Sequence, residues 1–85
     1  MKSIVFPTEG TCSKIIEINI ADDGTVDSVA FQGGCHGNLQ GIAALVRGRR
    51  PEEVIATLKG IRCRDKATSC PDQLARALEQ ALQNN

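Results

Sequence analysis

The spacing of apolar residues changes at the double glycine Gly33-Gly34, and this change determines the order of the secondary structure. Before it, Ile16, Ile18 and Ile20 fall on every second position, which is the period of a half-buried strand. After it, apolar residues recur every three or four positions, which is the period of a helix. Strands followed by helices predict an α+β domain with the helices on one face of an antiparallel sheet.

The strand half of the chain is predicted to form three antiparallel strands. The run Lys14 to Ile20 and the alternating run Val26 to Phe31 flank Asp22-Asp23-Gly24, whose residues favour a hairpin turn. The short apolar run Ile4 to Phe6 is predicted to add a third, edge strand.

The helical half is predicted to contain about three helices in one domain spanning residues 1–85. The first ends near Gly48, the second runs from Pro51 to Gly60, and the third starts at Pro71 and runs through Leu82. The last three residues, 83–85, are predicted to be a frayed tail.

Charge and hydropathy exclude several classes of function. Ten basic residues balance ten acidic ones, which gives no long-range attraction toward nucleic acid or an anionic membrane. The N-terminal run breaks off at Pro7 after three apolar residues, and no apolar stretch approaches a membrane span. We therefore expect a cytoplasmic protein whose thiols stay reduced.

The four cysteines, Cys12, Cys35, Cys63 and Cys70, fall outside the interiors of the predicted elements. Cys12 precedes the first hairpin strand, Cys35 precedes helix one, Cys63 follows helix two and Cys70 caps helix three. Helix N-termini favour thiolates, the form of cysteine that binds metal. We therefore predict that the four sulfurs form one metal site, suited to zinc or equally to an iron–sulfur cluster. Buried structural cysteines, disulfides and a redox dithiol remain alternatives.

Two further features have simpler interpretations. His36, beside Cys35, could be a spare ligand or a proton carrier, but a lone histidine in such a loop is more often exposed and does neither. The basic residues Arg47, Arg49 and Arg50 are first interpreted as a solvated helix end, with an anion-binding patch as the alternative.

The run Thr68-Ser69-Cys70-Pro71-Asp72 spells the motif of the TSCPD domain family, which the chain resembles along essentially its whole length. Members of that family occur as short free-standing proteins and as the C-terminal segment of cobalamin-dependent ribonucleotide reductases. The resemblance implies an association with ribonucleotide reduction and deoxyribonucleotide metabolism. It does not imply catalysis by 85 residues alone.

The chain also resembles NifU-type iron–sulfur cluster scaffolds, in which cysteines stand at the positions of Cys12, Cys35 and Cys70. That resemblance implies a three-stranded antiparallel sheet with helices on one side. It departs at Lys14, where the scaffolds carry an aspartate thought to keep the site labile, and at Ser69, where they carry a histidine. Cys63 is an addition that could supply a fourth ligand, and an all-thiolate site favours static zinc over a transferable cluster.

Three functions are compatible with these patterns. The first is a zinc-binding domain that stabilises or docks onto ribonucleotide reductase. The second is an iron–sulfur scaffold or carrier that works with cluster-assembly proteins. The third is a dithiol relay, in which Cys63 and Cys70 re-reduce a partner enzyme. The sequence does not indicate the oligomeric state.

Overall fold

A computed structural model describes residues 1–83 of the chain, so two residues of the predicted tail, 84 and 85, lie outside the described residues. The third, Gln83, was also predicted to belong to the frayed tail, but it is the last residue of a helix. The three strands are β1 (Lys2–Pro7), β2 (Ser13–Ile20) and β3 (Val26–Gly33). The helices are α1 (His36–Val46), α2 (Pro51–Leu58) and α3 (Cys70–Gln83). The predicted α+β class, with a three-stranded antiparallel sheet and three helices, is confirmed.

The sheet is an antiparallel meander in the order β1-β2-β3. The turn between β2 and β3 is held by Asp23, whose carboxylate accepts hydrogen bonds from the N–H and the hydroxyl of Thr25 at 3.0 and 2.7 Å. Gly24 supplies the positive φ of 90° that this turn needs. The hairpin and the edge strand predicted from the sequence are therefore both confirmed.

One face of the sheet carries the core. Ile18 pairs with Ile4 on one side and Val29 on the other, so these side chains form a single row beneath the helices. All three helices contribute to the buried cluster, which contains Ile16, Ile18, Val26, Val29, Val46, Val54, Leu74, Ala77 and Leu78. The helices therefore pack on one face, as the chain order of strands and helices predicts.

The other face of the sheet is polar and satisfies its own hydrogen bonds. Ser3 donates to Asn19 at 2.6 Å, and Asn19 donates in turn to Ser28 at 2.9 Å across the three strands. Gln32 donates to Glu17 at 2.6 Å beside this row. This ladder of cross-strand polar pairs is typical of a face that stays in water.

The turn between α1 and α2 is fixed to the start of β3. Gly48, at a φ of 82°, donates its N–H to the carbonyl of Val26, and Val26 donates back to the carbonyl of Arg49. Pro51 occupies the first position of α2, and Gly60 follows that helix with a φ of 91°. The predicted ends of helices one and two are therefore accurate.

The predicted start of α3 at Pro71 is wrong by one residue. The helix begins at Cys70, because the carbonyl of Ser69 accepts the first helical bond from Gln73 and its hydroxyl accepts from the N–H of Asp72. Ser69 is therefore the N-cap and Cys70 the first helical residue. Within residues 1–83, every helix is too short or too polar to cross a membrane.

Candidate functional site

Cys12 and Cys70 lie together at the end of the sheet where β2 begins and α3 starts. Their sulfur atoms are 3.9 Å apart, although 58 positions separate the two residues in the sequence. Cys12 is exposed in the loop before β2, whereas Cys70 is buried with 7% of its surface accessible. Both are free thiols. The structure therefore brings two of the four predicted ligands into contact.

Ser13 is the nearest polar neighbour of this cysteine pair. Its hydroxyl lies 3.1 Å from the sulfur of Cys70, and its side chain is buried. A register shift between Ser13 and Ile15 in the pairing of β2 with β3 marks a bulge at the start of the strand. The bulge lets Ser13 face inward beside Cys70 while Lys14 faces solvent.

The pKa of the Cys70 thiol is lowered from its ordinary value. Burial alone raises it, but hydrogen bonds from the hydroxyl and backbone N–H of Ser13 lower it, with help from Thr11 and Cys12. Cys70 also stands at the N-terminus of α3, where the helix dipole favours negative charge. The site therefore favours the thiolate form of Cys70, which binds metals and attacks disulfides.

The residues around Cys70 in its motif hold the start of α3 in place. The hydroxyl of Ser69 donates to the carbonyl of Ile61 at 2.6 Å and, as the N-cap, accepts from Asp72. Asp72 is fully buried and accepts hydrogen bonds from Thr68 and from the N–H of Gly60, the latter at 2.7 Å. These residues therefore position Cys70 rather than extend the thiol site.

Asp72 carries the one buried negative charge of this network. Arg76, one turn further along α3, donates to its carboxylate at 2.8 Å. Burial alone raises the pKa of Asp72, but the hydrogen bonds from Thr68, Arg76 and Gly60 outweigh burial and hold this pKa below its usual range. The carboxylate is thus charged at neutral pH and ties the loop before α3 to the helix.

Cys35 is the N-cap of α1 and is exposed, with no hydrogen bond from its side chain to the helix. The preceding residue, Gly34, has a φ of 83°. A Cβ at Gly34 would lie 3.2 Å from the sulfur of Cys12 and 2.8 Å from a methyl carbon of Leu39. The glycine therefore keeps open the space beside Cys12, and the residue that precedes Cys35 lies next to that sulfur.

Cys63 lies in the loop between α2 and α3, and its side chain is exposed. Its N–H donates to the carbonyl of Thr68, two residues before Cys70, and its carbonyl accepts from Lys66. The same loop reaches the segment of Cys12, because a Cβ at Gly10 would lie 3.1 Å from a methyl carbon of Thr68. The backbone segments carrying Cys12, Cys63 and Cys70 therefore adjoin.

His36 is exposed, and its ring lies 2.9 Å from the side-chain amide of Gln40 on the next turn of α1. Within residues 1–83, the side chains as they stand form no group of three or more His, Cys, Asp or Glu that could hold a metal ion. The contact between Cys12 and Cys70 is thus the part of the predicted ligand set that the structure assembles.

The donor chemistry of the pair fits a thiolate-bound metal. In a tetrahedral zinc site with Zn–S bonds of about 2.3 Å, neighbouring sulfurs are about 3.8 Å apart. The sulfurs of Cys12 and Cys70 are separated by 3.9 Å. The pair therefore has the spacing of one edge of such a tetrahedron, and Cys35 and Cys63 stand on adjoining segments.

The family model of the TSCPD domain matches residues 2–82, and the chain therefore belongs to that family. The searches of curated proteins and of solved structures found no match. The likeness to NifU-type scaffolds consequently stays a prediction.

Proposed function

We propose that this TSCPD domain binds one zinc ion through Cys12, Cys35, Cys63 and Cys70 and works as a non-catalytic partner of ribonucleotide reductase. The observation that carries the zinc site is the 3.9 Å separation of the sulfurs of Cys12 and Cys70. The association with ribonucleotide reduction is what the resemblance to the TSCPD family implies, and the family membership is consistent with it.

Cys35 and Cys63 complete the proposed ligand set. Both side chains are exposed, so each can turn about its side-chain bonds without leaving a packed core. Gly34 leaves the space beside Cys12 free on the side of Cys35, and Cys63 is hydrogen-bonded through its backbone to Thr68. The four thiolates would complete the tetrahedral coordination of the zinc ion without a histidine, which agrees with the position of His36 against Gln40.

The physical role of the zinc would be to join segments that the core does not join. A chain of 85 residues without Trp or Tyr has a small core. Binding of structural zinc contributes on the order of 10 kcal/mol, and this energy would fix the loop before β2, the start of α1 and the loop before α3 to one another. A surface fixed in this way can dock onto a reductase without catalysing a reaction itself.

An iron–sulfur cluster is the alternative occupant, since the same thiolates would hold it. Lys14, two positions after Cys12, stands where cluster scaffolds carry an aspartate, and its side chain is exposed. A site without a labilising carboxylate retains its metal, and this property favours zinc over a cluster that must be transferred.

Elemental analysis and absorption spectra of the protein purified without oxygen test the metal. We expect about one zinc per chain and no visible absorbance, whereas iron with sulfide would overturn the proposal in favour of a cluster. Single replacements of each cysteine by serine should lower zinc retention. His36→Ala is the matched control because the residue is exposed next to Cys35, and retention should be unchanged in it. Loss of zinc in this control, with full retention in Cys63→Ser, would exclude the proposed ligand set.

Titration calorimetry against the catalytic chain of the ribonucleotide reductase from the same organism tests the partner. The zinc-loaded protein should bind saturably, and Cys12→Ser without zinc should bind more weakly. Absence of binding by the zinc-loaded protein would remove the reductase from the proposal and leave the metal site standing.

A further inference from the structure

The two sulfurs in contact differ sharply in accessibility. Cys12 is exposed in the loop before β2, whereas Cys70 is buried at the first position of α3. The hydroxyl of Ser13 lies 3.1 Å from the sulfur of Cys70, on the protein side of the pair. A pair in which one thiol meets solvent and its neighbour lies protected behind it has the arrangement that thiol–disulfide exchange requires.

We propose that Cys12 and Cys70 form a redox-active dithiol that exchanges with accessible disulfides of small thiols or proteins. This activity goes beyond metal binding, since it needs neither Cys35 nor Cys63 and is carried out by the zinc-free chain. It also differs from a relay between Cys63 and Cys70, because the structure gives Cys70 the neighbour Cys12 instead.

The exchange proceeds in two displacements. The Cys12 thiolate attacks one sulfur of the external disulfide, so that a mixed disulfide to Cys12 forms and the other external sulfur leaves as a thiolate. The Cys70 thiolate then attacks the sulfur of Cys12, which forms the Cys12–Cys70 bond and releases the second external thiolate. Two protons pass from the protein thiols to the released thiolates, and two electrons pass to the external disulfide.

The geometry requires little movement for the second step. Closing 3.9 Å to the roughly 2.05 Å of a disulfide moves each sulfur by about 1 Å. Cys12 stands outside the strands, in a loop whose Gly10 adopts a φ of 73°, and Gly34 has no Cβ to block the sulfur. Ser13 holds Cys70 from the protein side and acts as a positioning residue.

The identity of the two cysteines that form the disulfide shows whether the bond formed in the folded or in the unfolded chain. Cys12 and Cys70 are 58 positions apart, whereas Cys63 and Cys70 are 7 apart. In an unfolded chain, the entropy of loop closure favours the shorter loop by about 20-fold. A predominance of the Cys12–Cys70 disulfide can therefore arise only from the folded arrangement.

The test equilibrates the zinc-free chain with mixtures of reduced and oxidised glutathione, and in a second arm with insulin as a protein disulfide. Disulfides are then mapped by mass spectrometry after alkylation. The Cys12–Cys70 disulfide should predominate, Cys63→Ser and Cys35→Ser should retain it, and Cys12→Ser should accumulate no internal disulfide of Cys70. Ser13→Ala should slow its formation several-fold, and Ser13→Thr, which keeps a hydroxyl, should restore part of the rate.

Predominance of the Cys63–Cys70 disulfide, or only mixed disulfides on Cys35 and Cys63, would overturn the proposal. Reduction of glutathione disulfide alone would assign the activity to small thiols, and reduction of insulin as well would extend it to proteins. Zinc content is measured on the reduced protein before oxidation, so failure of the zinc site and failure of the dithiol are separate results.

Discussion

Replacing Asp72 by asparagine is expected to destabilise the fold by about 2–3 kcal/mol. The side chain is fully buried and accepts hydrogen bonds from Gly60, Thr68 and Arg76. The donors are divided between the two carboxylate oxygens, and asparagine has only one acceptor oxygen, so its NH2 group would face either Gly60 or the donors Thr68 and Arg76. The bond lost there was made to a charged group, which contributes about 1.5–3 kcal/mol. The pair with Arg76 adds less, because that side chain is half exposed.

This loss is large for a chain of this size. At about 0.05–0.15 kcal/mol per residue, 85 residues give a total stability of about 4–13 kcal/mol. Urea unfolding should therefore show a clearly lower midpoint with an unchanged slope. Far-UV circular dichroism is the suitable signal because the chain contains no Trp or Tyr for fluorescence.

Glu79→Gln is the matched control on the same helix. Glu79 pairs with Lys59 at 2.7 Å, and both side chains are partly exposed. Loss of a surface pair of this kind costs at most about 1 kcal/mol. Equal, small shifts in Asp72→Asn and Glu79→Gln would refute the conclusion that the buried carboxylate joins the loop before α3 to the helix.

Three further predictions concern acid stability, the double glycine and the core. The pKa of Asp72 is lower in the folded chain than in the unfolded one, so the contribution of this carboxylate to stability is complete above about pH 4 and is lost as the pH falls through the lowered value. The urea midpoints of wild type and Asp72→Asn should therefore converge at low pH, and a constant gap between them would contradict this. Gly34→Ala should destabilise the fold by about 2 kcal/mol or more, since the φ of 83° at this position and the nearby Leu39 and Cys12 leave no room for a Cβ. Gly41→Ala within α1, where a Cβ meets nothing, should stabilise it by about 0.5–1 kcal/mol. Thermal unfolding compares the two variants, and a stabilised Gly34→Ala would refute the steric argument. Leu74→Ala should destabilise the fold by about 2–5 kcal/mol, because the Leu74 side chain is fully buried. Leu45 is 69% exposed, so Leu45→Ala should cost about 0.5 kcal/mol or less. Urea unfolding measures both losses, and similar values would contradict the assignment of the core.

Local patterns were sufficient to predict most of the fold. The alternation through Ile16 and Ile18 predicted β2, the turn residues around Gly24 predicted the hairpin, and Pro51 marked the start of α2. Each of these signals acts within a few residues, so the sequence carries it directly. The error at the start of α3 arose because Pro71 is acceptable in the first turn of a helix generally, while the hydroxyl of Ser69 decides the cap.

The candidate site was predicted only in part, because its contacts are non-local. The sequence predicted that Cys12 and Cys70 meet as two of four ligands, but its dithiol alternative paired Cys70 with Cys63, the nearest cysteine along the chain, and not with Cys12. Ser13 was missed, since strict alternation from Ile16 directs Lys14 inward and Ser13 outward, and the bulge reverses both. The burial of Asp72 was also missed, because its partner Gly60 belongs to a loop 12 positions away.

X-ray absorption at the zinc edge tests the metal site most directly. On protein purified without oxygen and loaded with one equivalent of zinc, we expect about four sulfur neighbours at about 2.3 Å and no lighter atoms. Cys63→Ser should replace one sulfur by oxygen or nitrogen. A coordination shell with two sulfurs in the unmodified protein would contradict the convergence of Cys35 and Cys63 on the pair formed by Cys12 and Cys70.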